Sequence, residues 1–217
     1  MVDYDAHSGL IVVDVQNDFA DRKGSLYVRG GDAVVPFINA EVARARRAGA
    51  FVACSQDWHP PATPHFQTEG GVWPVHCVRD SWGAAFPTSL AVAGAPVVRK
   101  GSGGEDGYSA FSARDPKSGV SAPTELATLL RERAVERVVI VGLATDYCVK
   151  ETALDARQLG FDVTVLRAGR PRRRPPAGRR RPRPGGDRGG GRACRVAPEP
   201  GLAAARRLAP FSPTSTS

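Results

Sequence analysis

The sequence predicts a three-layer α/β/α protein, in which a central parallel sheet lies between helices on both of its faces. Up to about residue 167, short apolar runs of strand length alternate with segments whose apolar residues recur at helical spacing. Alternation of strands and helices favours parallel pairing, because each crossover helix returns the chain to the same end of the sheet. No apolar run approaches the roughly 18 residues that a membrane-spanning helix needs, so we expect no membrane partner.

Five segments have the short length and apolar composition of buried parallel strands. They cover 9–14, 50–55, 96–100, 137–142 and 161–166. Sheets of this kind bind ligands beyond the carboxyl ends of their strands. The long segment 56–95 is rich in Pro, Trp and His and follows one such end, so we expect it to carry function.

Three helices are predicted between these strands. They cover 32–49, 122–134 and 146–158. Asp32 is the expected N-cap of the first helix, and Gly49 is the residue that would end it. Pro123 suits the first turn of the second helix, and Gly160 follows the third.

The composition changes abruptly at residue 168. Residues 1–167 carry a formal charge of −3, whereas 168–217 contain 13 arginines against two acidic residues, a formal charge of +11. Between 168 and 197, 27 of 30 residues are Arg, Gly, Pro or Ala, without the apolar periodicity that a core requires. We therefore expect one globular domain at 1–167 and a separate tail at 168–217.

The tail has two interpretations. A disordered basic arm would bind nucleic acid non-specifically through its charge. Alternatively, Arg, Pro, Gly and Ala are the residues of GC-rich codons, so a GC-rich gene read out of frame yields the same composition. We favour the frameshift, because composition alone cannot specify binding.

The cysteines and the N-terminus indicate a cellular compartment. The four cysteines form no CxxC pair, which argues against a disulfide framework or a cysteine-built zinc site. The first residues lack the basic start and apolar run of a signal peptide. We expect a cytoplasmic protein with reduced thiols.

Three of the four histidines lie in the segment 56–95, beside an aspartate. Asp57 and His59 follow a strand end, where both side chains can turn toward one point, and His76 and His65 lie further along the same segment. Imidazole and carboxylate ligands suit one divalent ion, either zinc, iron or manganese. The alternative is a set of hydrated surface histidines, but the clustering favours a metal.

Three further residues follow predicted strands. Burial of Asp14 after the first strand would raise its pKa into the range of proton transfer, although a loop-bracing role is equally compatible. Lys100 ends the third strand and would hold nearby anions, or else be a solvated strand tip. Cys148 lies where the fourth strand turns into a helix, whose N–H groups favour a thiolate and a bound oxyanion. A structural role is the alternative for Cys148, as we expect for Cys54 in mid-strand.

Together these segments resemble the nicotinamidases, within the isochorismatase-like cysteine hydrolases. The resemblance covers roughly 8–167 in family order, and the set is far more specific than any one motif. The matching segments are Val-Asp14-Val-Gln-Asn-Asp-Phe19, Asp57-Trp-His59, Trp73-Pro-Val-His76-Cys-Val, Lys100-Gly, Tyr108-Ser-Ala-Phe and Val-Gly-Leu-Ala-Thr-Asp-Tyr-Cys148-Val.

The resemblance implies hydrolysis of nicotinamide to nicotinate and ammonia in NAD salvage, with pyrazinamide as a second substrate. It implies a catalytic triad of Asp14, Lys100 and Cys148, in which Asp14 takes the thiol proton and Cys148 forms a thioester. The N–H groups of Ala144 and Cys148 would bind the oxyanion, and a cis peptide is expected between Leu143 and Ala144.

The same resemblance implies a metal ion with a positioning role. Asp57, His59 and His76, with His65 as a further ligand, would hold an ion whose open position takes the pyridine nitrogen. The implied ring pocket consists of Phe19 and Trp73 on the two faces of the substrate and Tyr108 at its closure, with core packing as the alternative for these aromatic side chains.

The resemblance stops at the tail. Related proteins continue past the fifth strand with a further helix and strand, so we expect an uncovered sheet edge and low stability or solubility here. Three other functions stay open: another isochorismatase-like hydrolase with a different substrate, a nucleic-acid-binding protein with an inactive domain, and an inactive frameshifted product. A homo-oligomer is also compatible with the sequence.

Overall fold

A computed structural model of the chain describes residues 2–105, 107–115 and 118–167. The strands are β1 (Ser8–Val13), β2 (Phe51–Asp57), β3 (Val97–Lys100), β4 (Ser112–Arg114), β5 (Ser121–Pro123), β6 (Arg137–Gly142) and β7 (Asp162–Val165). The α-helices are α1 (Asn17–Ala20), α2 (Val35–Arg47), α3 (Leu126–Arg131) and α4 (Cys148–Gln158). The tail at 168–217 lies outside the described residues, so both of its interpretations stay predictions. Among the described helices, none has the length and apolar character to cross a membrane.

Five strands form one parallel sheet in the order β3-β2-β1-β6-β7. Strand β1 lies at its centre and is buried along its whole length. Successive side chains of a strand point to opposite faces, so Leu10 and Val12 pack on one face while Ile11 and Val13 pack on the other. This arrangement explains why β1 is a continuous apolar run.

Helices cover both faces of the sheet. The buried face of α2, with Ile38 and Val42, packs in the same cluster as Leu10. Helices α3 and α4 pack on the opposite face, where Leu130 and Val149 join the cluster of Ile11. The predicted three-layer fold with a central parallel sheet is therefore confirmed.

The order of the strands determines where a ligand can bind. From β1, the chain builds outward through β2 and β3 on one side, and later through β6 and β7 on the other. Loops that leave β1 and β6 therefore diverge and open a crevice at the carboxyl ends of these strands. Asp14 follows β1 and Cys148 follows β6, so both residues lie at this crevice.

Two local predictions were wrong. Asp32 does not cap α2, because it lies in a 3₁₀ turn and its carboxylate accepts hydrogen bonds from Tyr27 and Arg22. Pro123 is not in a helix but in β5, an extended position that its fixed φ permits. The chain forms a small antiparallel hairpin of β4 and β5 before α3 begins.

The outer edge of β7 bears on the predicted instability. Among the described residues β7 pairs with β6 alone, and the Val165 side chain is exposed. Leu154 and Leu159 of the neighbouring α4 are also exposed. The tail lies outside the described residues, so the uncovered edge and the low stability both stay predictions.

Candidate active site

Asp14 is completely buried directly after β1, and Ser55 of β2 holds it. Its backbone N–H donates to the Ser55 carbonyl at 3.2 Å, and the Ser55 hydroxyl donates to Oδ1 of its carboxylate at 2.6 Å. Asp14 has a φ of 48°, in the left-handed region that short polar residues tolerate best after glycine. The chain thus turns sharply at the strand end and keeps the carboxylate beneath the crevice.

Lys100 ends β3 and extends its buried side chain toward two carboxylates. Its Nζ lies 2.9 Å from Oδ2 of Asp14 and donates a hydrogen bond to Oδ1 of Asp57. Burial alone would lower the pKa of Lys100, but the two carboxylates raise this pKa well above its ordinary value. Lys100 is therefore a buried ammonium ion paired with two acidic side chains.

Cys148 is the first residue of α4 and lies against the same group of charges. Its Sγ is 3.8 Å from Nζ of Lys100, and carboxylate oxygens of Asp14 and Asp57 lie within 4.8 Å of it. Burial and the two carboxylates raise the pKa of Cys148 well above its ordinary value, although Lys100 opposes this rise. Burial thus works against the thiolate that the helix N-terminus and the ammonium favour.

Burial also raises the pKa of Asp14, although Lys100 lowers it. A raised pKa makes a carboxylate a stronger proton acceptor. The arrangement thus places a neutral thiol beside a base that can take its proton. This chemistry suits nucleophilic attack by sulfur.

The turn between β6 and α4 carries the candidate oxyanion site. The peptide bond between Leu143 and Ala144 is cis, as the resemblance implied. The backbone N–H groups of Ala144 and Cys148 donate to no backbone carbonyl within the described part of the chain. Gly142 lets this turn approach β1, because a Cβ atom at this position would lie 2.0 Å from the carbonyl oxygen of Val13.

Three imidazoles converge at the other end of the site. His59, His65 and His76 each offer one nitrogen, and these atoms lie within 4.8 Å of one another. Both ring nitrogens of His59 are buried without a hydrogen-bond partner among the described residues. Nδ1 of His76 lies 2.7 Å from the Pro74 carbonyl and can donate to it, which leaves Nε2 available as a ligand.

The protonation states of these histidines suit a transition metal. Burial lowers the pKa of His59 to about 4 and also lowers the pKa of His76, so both rings are neutral at pH 7. Neutral imidazole is the form that binds metal ions. The buried, unsatisfied nitrogens of His59 therefore fit a divalent ion such as zinc, iron or manganese.

Asp57 lies between the imidazoles and the charged group around Cys148. Its Oδ1 accepts a hydrogen bond from Lys100, whereas its Oδ2 lies 4.0 Å from Nε2 of His76. Burial opposes its ionisation, but Lys100 holds the pKa of Asp57 below its ordinary value. The ring centroid of His65 lies 4.8 Å from that of His59.

A cavity of about 260 Å³ opens above these groups, close to the lower end of the size range of ligand pockets. Phe19, Trp73 and Tyr108 line it together with Cys148 and the three imidazoles. The Trp73 indole N–H donates to the Tyr108 hydroxyl at 3.2 Å, and this hydrogen bond joins two walls of the cavity. Tyr147, which the sequence did not single out, completes the aromatic wall with its ring 5.3 Å from that of Trp73.

Gln16 fixes the backbone of Asp57, a role that sequence reasoning missed. Its side-chain amide donates to the Asp57 carbonyl at 2.7 Å and accepts from the Asp57 N–H at 2.9 Å. The same amide donates to the Ala84 carbonyl at 2.9 Å. A lone glutamine in a loop offers no sequence signal for this role, because its partners are distant in the chain.

Asp18 joins two loops of the site and was also missed. Its carboxylate accepts from the N–H of Cys77 at 2.7 Å and from the N–H of Ser25 at 3.0 Å. Gly83 packs directly against it, because a Cβ there would lie 2.0 Å from the Asp18 carboxylate. The backbone beside His76 is held by this contact.

Comparisons with known proteins show the family to which the chain is similar. The isochorismatase domain family matches residues 8–169. The nicotinamidase of Escherichia coli (strain K12) is 38% identical over 177 residues, covering 74% of this chain and 81% of the relative.

Two solved structures are similar in fold and sequence. The pyrazinamidase of Pyrococcus horikoshii in complex with zinc has a TM-score of 0.65 and 38% identity, covering 73% of this chain and 83% of that chain. PnC1 from L. infantum in complex with nicotinate has a TM-score of 0.68 and 40% identity, covering 76% of this chain and 81% of that chain.

Proposed function

The chain belongs to the isochorismatase family, and we propose that it hydrolyses nicotinamide to nicotinate and ammonia through a thioester on Cys148. One observation carries this proposal: Cys148, which lies against Lys100 and Asp14, lines the same cavity as three converging imidazoles. A nicotinamidase among its relatives and a similar structure in complex with nicotinate support the choice of substrate.

The first half of the proposed reaction forms the thioester. Asp14 takes the proton of the Cys148 thiol as the sulfur attacks the carboxamide carbon, and the carbonyl π electrons move to oxygen. The N–H groups of Ala144 and Cys148 stabilise the resulting oxyanion. When the C–N bond breaks, Asp14 delivers its proton to the leaving nitrogen, and ammonia departs.

The second half releases the acid. Asp14 takes a proton from a water molecule, which attacks the thioester carbon; the C–S bond then breaks, and the sulfur recovers a proton from Asp14. Lys100 stays protonated throughout and stabilises the negative charge on Asp14 and on the sulfur. The site returns to a neutral thiol beside a carboxylate, and nicotinic acid leaves and loses its proton to solvent to give nicotinate.

His59, His65 and His76, with Asp57 at the border of the group, would hold one divalent metal ion. When bound, the ion supplies a Lewis acid for the pyridine nitrogen and so orients the ring. The zinc complex of the Pyrococcus horikoshii relative makes zinc the first ion to test.

The aromatic residues explain selection of a flat substrate. Phe19 and Trp73 would contact the two faces of the pyridine ring, and Tyr108 would help to close the pocket. Pyrazinamide, which has a second ring nitrogen, fits the same description, and the product nicotinate would serve NAD salvage. Since every proposed site residue precedes residue 150, we assign the activity to a domain at 1–167 and no catalytic role to the tail.

Ammonia release from nicotinamide by the purified chain, loaded with zinc, tests the proposal. We expect turnover by the wild type and none by Cys148→Ala, whose fold is checked by circular dichroism. A folded, metal-loaded wild type that releases no ammonia would overturn the proposal.

A further inference from the structure

Ser55 makes two hydrogen bonds to Asp14, one to its backbone and one to its side chain. The Ser55 carbonyl accepts from the Asp14 N–H at 3.2 Å, and the Ser55 hydroxyl donates to Oδ1 at 2.6 Å. Both residues are completely buried, so water does not substitute for either bond. In the pairing of β1 with β2, Ser55 lies opposite Val13, and Val13 directly precedes Asp14.

The two carboxylate oxygens of Asp14 consequently face different partners. Oδ1 accepts from the Ser55 hydroxyl, whereas Oδ2 lies 2.9 Å from Nζ of Lys100. The same Nζ also contacts Oδ1 of Asp57 and Sγ of Cys148. The Ser55 hydrogen bond therefore fixes the orientation of the carboxylate, with Oδ2 toward Lys100. The oxygens of a freely rotating carboxylate would be interchangeable.

We infer that Ser55 is a positioning residue that orients the Asp14 carboxylate for its transfer of the catalytic proton. Without the hydroxyl, Oδ1 is left buried without its donor, and the carboxylate loses the hydrogen bond that fixes its orientation. This inference rests on the proposed function, since it concerns the proton transfer of that reaction.

Two Ser55 variants separate the hydroxyl from the space it fills. Ser55→Ala removes the donor, and Ser55→Thr keeps it. If Ser55→Ala does not fold, Ser55→Cys takes its place in the experiment, because the Cys side chain has about the volume of Ser but is only a weak hydrogen-bond donor. The matched control is Ser8→Ala, because Ser8 is buried at the opposite end of β1 and its hydroxyl donates to the Asp5 carboxylate at 2.8 Å.

Steady-state ammonia release then gives kcat and KM for each variant. We expect kcat of Ser55→Ala to fall about 10- to 100-fold, the effect of one hydrogen bond to a charged group. KM and the affinity for nicotinate, measured by calorimetry, should stay within about threefold, because Ser55 does not line the cavity. Ser55→Thr should restore kcat, and Ser8→Ala should keep the wild-type value. Unchanged kcat in Ser55→Ala, or equal losses in Ser55→Ala and Ser55→Thr, would overturn the inference.

A second measurement needs no substrate. Iodoacetamide modifies the Cys148 sulfur, and mass spectrometry of the peptide that contains Cys148 gives the rate. The rate should fall in Ser55→Ala and recover in Ser55→Thr; equal rates in all three proteins would overturn the inference. A wild type without nicotinamidase activity refutes the proposed function, while the alkylation rates still decide the role of Ser55.

Discussion

Asp57 joins the two halves of the site, because the carboxylate that faces His76 through one oxygen accepts a hydrogen bond from Lys100 through the other. Lys100 in turn pairs with Asp14. Asp57 therefore lies between the imidazoles and the Lys100 ammonium, which in turn lies against the Cys148 sulfur. The backbone of Asp57 is held on both sides by Gln16, so this link has little freedom to move.

Asp57→Asn should impair both metal binding and turnover. The amide cannot supply the negative charge that pairs with Lys100, and we expect metal affinity to fall about 10- to 100-fold, as for other residues next to metal ligands. Metal content per chain by mass spectrometry and ammonia release test this together. Asp162→Asn, an exposed acid on β7, is the control and should change neither. Full metal content with full activity in Asp57→Asn would contradict the role of Asp57.

Zinc should stabilise the folded chain through His59. An ion present at about 100 times its Kd adds about 2.7 kcal/mol to the free energy of unfolding, which raises Tm. Thermal unfolding with and without zinc measures this shift. His59→Ala should abolish it, whereas His7→Ala should retain it, because His7 is exposed at the opposite end of β1. An equal zinc shift in both variants would place the ion elsewhere.

Cys54 should resist alkylation in the folded protein. Burial raises the pKa of Cys54 to about 12. A group whose pKa lies well above the ambient pH stays protonated, so at pH 8 only about one Cys54 in 10⁴ is a reactive thiolate. Iodoacetamide labelling of the Cys54 peptide at increasing urea concentration measures this protection, which should disappear with global unfolding. Rapid labelling without urea would contradict the core position of Cys54.

Gly142→Ala should destabilise the fold by about 2–4 kcal/mol, because its Cβ would meet the Val13 carbonyl and its φ of 141° disfavours a side chain. The matched control is Gly49→Ala at the end of α2, where φ is also positive but a Cβ would meet no atom within 4 Å. That control should cost about 1 kcal/mol. Urea unfolding monitored by circular dichroism gives both values. Equal losses of stability in the two variants would show that the backbone conformation of Gly142, and not its close approach to β1, causes the destabilisation.

Strands of the sheet were predictable from the sequence because a strand buried on both faces is a continuous apolar run. Segment 137–142 was predicted with the bounds that β6 has. The helix cap was less predictable. Asp32 has the residue type and the position of an N-cap for α2, but Tyr27 and Arg22 donate hydrogen bonds to its carboxylate instead. Likewise, Pro123 is compatible with either a helix start or a strand, and only the pairing of β4 with β5 decides between them.

Residue types and their order along the chain determined much about this protein: the α/β fold, the family resemblance, and candidates such as Asp14, His59 and Cys148. These features are local, or depend only on which residues follow a strand. Only the tertiary structure decided that Ser55 donates to Asp14, that Gln16 holds Asp57, and that burial raises the pKa of Cys148. Each of these depends on distances between segments far apart in the chain, and on the water that folding removes from between them.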